Sequence, residues 1–438
     1  MDPATPYNFW QKNRLVIKSF FIAFLVLALL IPTFIIMYLV NDRKERKEEV
    51  TREISNKWSS AQTVTGPFLT IPYTEPGNTE HKYVYLLPEE LNINGKFEPA
   101  IRYRSIYKVP VYTARPVVFS GIFSGNQFDL PGVNPALIKW NEARLCMGIS
   151  DPKGIQQLSL QWNEQSLPLQ VGLPSQLIAA QGVSVVLPLD AGFAQGSARF
   201  SFTLELQGSE KFFCTPTGTN TRAEFSSSWT SPAFDGKYLP DTERVNSNGF
   251  TASWKISQFN RDFPKLFKDD SNAAGQIRQS SFGVAFLSPI DAYAQTMRSL
   301  KYAILIIALT FFAYFFTEIF QKRPVHPLQY ILIGMALVVF YTLLLSVSEY
   351  LAFPLAYALA AGATILLLGW YTQSIFKKMT TSLGLAFLLA VLYLFIYVLI
   401  QMVDNALLFG SIGLFVLLAL SMYLSRRVDW FGIERKTE

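Results

Sequence analysis

The chain has 438 residues, of which 50% are hydrophobic, 15% aromatic and only 16% charged. That excludes a disordered chain, which lacks the apolar surface to offset ordering entropy, and it falls short of the about 25% charge of an ordinary soluble domain. The formal charge of +6 is not a nucleic-acid footprint: residues 42–301 hold 27 Lys+Arg against 25 Asp+Glu, and the remaining surplus sits in short caps beside apolar runs.

In chain order, residues 1–14 read as a cytoplasmic N-terminus. Leu15–Val40 is the first apolar run, long enough at about 1.5 Å per residue to cross the hydrocarbon core. It exceeds the apolar region of a cleavable signal, and Asn41-Asp42-Arg43-Lys44 follows it, so it reads as an uncleaved anchor. Pro32 is expected to kink it. Residues 41–61 read as a membrane-proximal helix, with Val50, Ile54 and Trp58 on one face and Glu48 placed to pair with Arg52. This helix is either a solvated one with a single packed stripe or a stalk that docks a partner.

From residue 62 the period changes to two. Phe200, Phe202, Leu204 and Leu206 alternate with polar residues, as do Phe250, Ala252, Trp254 and Ile256, and Leu158, Leu160 and Trp162. Ile101, Tyr103, Tyr107, Val109 and Val111 share one parity. Short strands between Gly, Pro and Asn turns predict antiparallel sheets with one buried face, so 62–301 is expected to form an all-β, sandwich-like domain or two smaller ones with a boundary within 170–182.

Five further apolar runs make a helical bundle over 302–425: Tyr302–Phe320, Leu328–Val347, Leu351–Phe376, Ser382–Met402 and Ala406–Leu424. Residues 426–438 form a tail. Lys322-Arg323, Lys377-Lys378 and Arg426-Arg427 fall on the same side as the N-terminus, whereas Ser346–Tyr350 and Gln401–Asn405 contain no Lys or Arg. This asymmetry predicts six transmembrane helices with both termini cytoplasmic and the β domain, inserted between the first and second helices, on the periplasmic side. The five bases among residues 43–52 oppose that orientation, and the other caps outweigh them. The fold class expected is therefore a membrane protein of α+β type.

Chemistry is sparse. There is no HExxH, no GxxxxGK(S/T), no GxSxG and no GxGxxG after a strand. Two cysteines and two histidines, His81 and His326, provide no zinc module, so no catalytic, cofactor or metal residue is assigned. Cys146 and Cys214 either form a disulfide in an oxidising compartment or remain buried thiols on separate strands. The ionisable groups beside the spans are the candidates for function, namely Glu349, Asp404 and His326, because charge is costly in lipid. Glu318 stands four residues before Lys322 and is expected to pair with it. Small residues such as Ala358 and Gly362 are expected to allow close helix packing.

The residues resemble those of the CreD family of bacterial inner-membrane, cell-envelope-integrity proteins, nearly end to end. The resemblance rests on Val64-Thr65-Gly66-Pro67, Ile71-Pro72-Tyr73, Leu87-Pro88-Glu89-Glu90-Leu91, Asp151-Pro152-Lys153-Gly154-Ile155, Tyr238-Leu239-Pro240 and His326-Pro327-Leu328-Gln329-Tyr330, with Ser348-Glu349, Asp404 and Asp429-Trp430. It implies a bacterial inner-membrane location, a role in envelope homeostasis and stress response, and no catalytic residue or cofactor. The expected function is non-enzymatic: a periplasmic domain that binds or braces an envelope protein, lipid or glycan, anchored in the lipid bilayer, without nucleic acid. A transporter or lipid-handling protein, and a membrane-bound hydrolase, are the alternatives. The oligomeric state and the ligand are not read from these residues.

Overall fold

A computed structural model describes residues 14–75, 82–126, 128, 133–269, 272–286, 291–402 and 406–426. The chain divides into two compact units, Met1–Arg46 with Ile290–Glu438, and Lys47–Pro289. Helix α1 (Arg14–Trp58) runs without a break through Pro32 and contributes residues to both units.

The second unit is built on strands β1 (Gln62–Tyr73), β2 (Lys82–Leu86), β3 (Glu90–Arg104), β4 (Tyr107–Ser124), β5 (Arg144–Ile149), β6 (Ile155–Trp162), β7 (Gln165–Ser166), β8 (Gln170–Val171) and β9 (Gly182–Val186). There follow β10 (Ser197–Ser209), β11 (Lys211–Cys214), β12 (Asn220–Ser227), β13 (Pro232–Gly236), β14 (Thr242–Asn246), β15 (Gly249–Ser257), β16 (Leu266–Lys268), helix α2 (Ala273–Gln279) and β17 (Phe282–Phe286). Among the described residues these form two sheets. One runs β13-β17-β11-β1-β5-β9-β8, with β2 and β16 branching from β1; the other runs β14-β15-β12-β3-β4-β10-β6-β7.

The alternating residues explain why the sheets face each other. Phe200, Phe202, Leu204 and Leu206 of β10 are buried in one cluster with Leu69 and Ile71 of β1 and Leu145 of β5. Aromatic pairs cross the interior, Phe97 to Phe212 and Tyr112 to Phe286, each at 4.8 Å between centroids. One core therefore serves both sheets, and residues 170–182 mark no boundary: β8 pairs with β9 at the edge of the same sheet, and Ile178 packs in a second cluster on that sheet's other face. The run Ile101–Val111 departs from the expected single parity. Ser105, at φ 54°, turns β3 back onto β4, so Ile101 and Tyr103 stay exposed while Tyr107, Val109 and Val111 are buried.

The first unit holds α3 (Ala292–Lys301), α4 (Ala303–Gln321), α5 (Pro327–Ser348), α6 (Phe353–Phe376), α7 (Met379–Gln401) and α8 (Ala406–Ser425). The stretch forming α3 was expected to close the β domain; it belongs to the helical unit instead. Among the described residues, α1, α4, α5, α6 and α7 are long and apolar enough to cross a membrane. α5 shows why lipid is the implied solvent. Ile333, Leu337 and Leu344 are buried, yet Leu328, Leu332, Met335 and Val339 on its other faces are exposed and equally apolar. Leu25, Leu29, Ile36 and Val40 form the buried stripe of α1. A Cβ on Gly334 would lie 2.2 Å from Leu29 Cδ1, so this glycine admits α1 against α5. Ala358 and Gly362, expected at such contacts, are not: Ala358 is exposed and a Cβ on Gly362 would meet nothing within 4 Å.

Candidate functional site

Of the ionisable candidates in the helical unit, His326 is a cap. Its Nδ1 accepts the Leu328 N–H at 3.2 Å, while the Gln329 side chain accepts the His326 N–H at 2.9 Å, closing the first turn of α5. Glu349 follows the last residue of α5. Its carboxylate accepts the Tyr293 hydroxyl at 3.2 Å and lies 3.8 Å from Arg43 of α1, with its side chain 10% exposed. Asp404 and His81 lie outside the described residues.

Glu318 is not paired with Lys322. It binds Lys18 of α1 and accepts the Tyr330 hydroxyl at 3.0 Å, and Lys18 also donates to the Val325 carbonyl at 2.6 Å. Lys322 instead ends α4 in a left-handed turn at φ 51°, as Lys377 ends α6 at φ 52°. Each lysine thus sits at a helix C-terminus, where the helix dipole favours positive charge. Lys18 and Arg43 are 25 positions apart on one helix, a rise of about 37 Å. That approaches the thickness of a bilayer with its headgroups. α1 is therefore held to the bundle by one ion pair near each end of a membrane-length segment.

In the β unit, the link between α1 and β1 and the first residue of β1 converge on Asp151. Its carboxylate accepts the Ser60 N–H at 2.9 Å, the Ser60 hydroxyl at 3.0 Å, the Ser59 hydroxyl at 3.2 Å and the Lys153 N–H at 3.2 Å. Gln62 Nε2 donates to the carbonyls of Asp151 and Gln207 at 2.9 and 3.1 Å. A Cβ on Gly154 would come within 2.3 Å of that Gln207 carbonyl. Burial pushes the Asp151 carboxyl upward, but the Ser60, Lys153 and Ser59 hydrogen bonds outweigh it and hold the pKa below its ordinary value. Above this lock, Ser55 bonds Ser209, Glu53 pairs with Arg104, and Arg102 stacks over Trp58 at 4.4 Å. On the face read as Val50, Ile54 and Trp58, Val50 is buried and the other two are half-buried.

The outer face of the nine-stranded sheet carries a cleft of about 490 Å³, within the range of ligand sites. Register assembles it. Tyr83 of β2 stands opposite Pro72 of β1, Thr70 opposite Arg144 of β5, and Arg144 opposite Val186 of β9. Because alternate residues point outward, Arg144 and Cys146 leave the core while Leu145 and Met147 fill it. Arg144 Nη1 donates to Gln170 Oε1 at 3.2 Å and to the Ser184 hydroxyl at 3.4 Å. These residues carried no motif in the sequence, since five strands spread between Thr70 and Val186 supply most of them.

The cysteines are free and buried. Cys146 faces Phe68 on the outer side of the sheet, and Cys214 pairs with Val64 toward the inner core, so the sheet separates the two thiols and no bridge forms. Among the described residues, no group of three or more His, Cys, Asp or Glu is placed to hold a metal.

The architecture can be set beside known proteins. Residues 14–431 match the family model described as inner membrane protein CreD. Inner membrane protein CreD of Escherichia coli (strain K12) is 31% identical over 421 residues, covering 93% of this chain and 92% of the relative. Solved structures of an M1 zinc metallopeptidase from Deinococcus radiodurans align over 45% of this chain and 42% of theirs. They show 11% identity and a TM-score of 0.24 for a mutant bound to a Tyr-Ser-Ala substrate, and 12% and 0.21 for the M1 zinc metallopeptidase itself. That likeness is too slight to bear on function. The match along almost the whole length, through both the β unit and the helices, makes the chain a member of the CreD family of inner membrane proteins.

Proposed function

We propose that this inner membrane protein is a non-enzymatic component of cell-envelope maintenance, with six spans, both termini in the cytoplasm and a periplasmic β unit that binds or braces an envelope component. The observation that carries the reading is the fastening of α1. The helix is pinned in the bundle by Lys18–Glu318 and Arg43–Glu349, its last turns are tied to β-unit strands through Glu53–Arg104 and Ser55–Ser209, and the residues that follow it are held by Asp151. The bases at Lys322 and Lys377, at the C-terminal ends of α4 and α6, support the orientation. Helix α8, with 20 residues, supplies the sixth span. Glu349, engaged by Arg43 and Tyr293, serves here as a helix fastening rather than as a carrier of transported protons.

Lys237→Cys tests the orientation. Lys237 is exposed, and the native cysteines are fully buried, so a membrane-impermeant maleimide reads this position alone. Labelling in intact spheroplasts is expected. A thiol that reacts only after lysis would overturn the periplasmic assignment.

A further inference from the structure

We infer that the Arg144 cleft binds the free carboxyl terminus of an extended peptide ending in a small apolar residue. This deepens the reading of the β unit as a binding module, although the chemistry below does not depend on which side of the membrane it faces. Three observations converge.

The first is charge. Arg144 makes no ion pair among the described residues; its recorded partners, Gln170 and Ser184, are neutral. Two acids lie nearby, Glu142 on the cleft's own lining and Asp269 beside Tyr83, and each has a partner other than Arg144. Glu142 lies 3.5 Å from Lys139, and Asp269 accepts the Tyr83 N–H at 2.8 Å and the Tyr85 hydroxyl at 2.7 Å. An uncompensated, half-buried guanidinium in a concave site favours an anion, and its fixed fork suits a carboxylate. Arg144 acts on its neighbours: burial and Asp269 raise the Tyr83 pKa and burial raises that of Cys146, and Arg144 offsets part of each rise.

The second is the complementary donor. The Tyr83 hydroxyl takes no hydrogen bond among the described residues, and its half-buried ring lines the same cleft. Arg144 and Tyr83 together offer a charged fork and a neutral hydroxyl to one carboxylate.

The third is the wall. Val171, Leu173 and Val186 bound the cleft with apolar surface, and Val171 is 92% exposed. Val171 belongs to β8, the edge of the sheet, where β9 occupies one side only. An edge strand with unpaired backbone groups can receive an extended chain, a mode in which main-chain bonds supply affinity and side pockets supply selectivity. A free sugar acid would use the guanidinium but not the edge.

The test is fluorescence polarisation with the full chain in detergent micelles. The probe is fluorescein-labelled Gly-Gly-Ser-Ala-Val with a free carboxyl group, set against the same peptide as its C-terminal amide. The acid is expected to saturate, and the amide to bind at least about tenfold more weakly, as loss of charge-assisted hydrogen bonds implies. Arg144→Gln is expected to weaken the acid by a similar factor and leave the amide unchanged. Tyr83→Phe, which keeps the ring and so preserves folding, should weaken the acid by about threefold. Equal binding of acid and amide, no saturation of the acid at 1 mM, or unchanged affinity in the Tyr83→Phe protein would overturn the proposal. So would acetate competing as well as the unlabelled peptide. Because the assay has no sidedness, its failure leaves the maleimide result at position 237 unaffected, and the reverse holds too.

Discussion

Lys18 and Glu318 have side chains only 13% and 12% exposed, so deleting either partner strands a charge in a poorly solvated place. Glu318→Ala is expected to cost about 3–5 kcal/mol, and the Lys18→Ala, Glu318→Ala double variant less than the sum of the singles. Melting of the four detergent-solubilised proteins measures that coupling; strictly additive losses would show that the pair does not hold α1. Asp151 gives a pH signature. Its pKa is depressed in the folded chain, so its stabilisation is fully present above the unfolded value of about 3.9 and is lost as pH falls through the lower folded value. Asp151→Asn should destabilise the β unit by about 1–3 kcal/mol near neutrality and flatten the acid side of its stability profile; an unchanged profile would remove the carboxylate from the lock. At the thiols, burial pushes Cys146 up to about 12 and holds Cys214 well above the ordinary thiol value. Neither should react with a thiol reagent in the native protein, and both should react after denaturation without reductant. At this scale the sequence was least informative. It could place Glu318 near Lys322 on the same helix, but not beside a lysine 300 positions earlier.

Periodicity was informative within elements and silent between them. The buried faces of β10 and β15 follow the alternation of Phe200–Leu206 and Phe250–Ile256. The turn at Ser105 was hidden, because a non-glycine residue adopts positive φ there and the apolar parity continues across it. Similarly, a glycine shows in sequence while its neighbour does not. Gly154 belongs to Asp151-Pro152-Lys153-Gly154-Ile155, and only the structure reveals the Gln207 carbonyl against it. Gly154→Ala should therefore cost about 1–3 kcal/mol through displaced backbone, whereas Gly275→Ala, with open space around it, should be near neutral or stabilising in α2. Equal melting temperatures for the two variants would argue against the close approach.

For the molecule as a whole, run length and composition already indicated apolar spans joined to a β-rich unit, since hydrocarbon thickness and the pleat impose their periods directly on the chain. Strand order was beyond reach. β1 lies parallel to β11 and β3 parallel to β12, so partners are chosen by tertiary packing rather than proximity. The cleft shares that origin, and Arg144, Tyr83 and Ser184 became neighbours only through register. One pairing has a temporal consequence. β17, the last strand synthesised, lies between β13 and β11 and bonds to both. A nascent chain halted anywhere before residue 282 lacks an interior rib of its own sheet. It must wait, unfinished, until the ribosome has almost reached the second apolar helix.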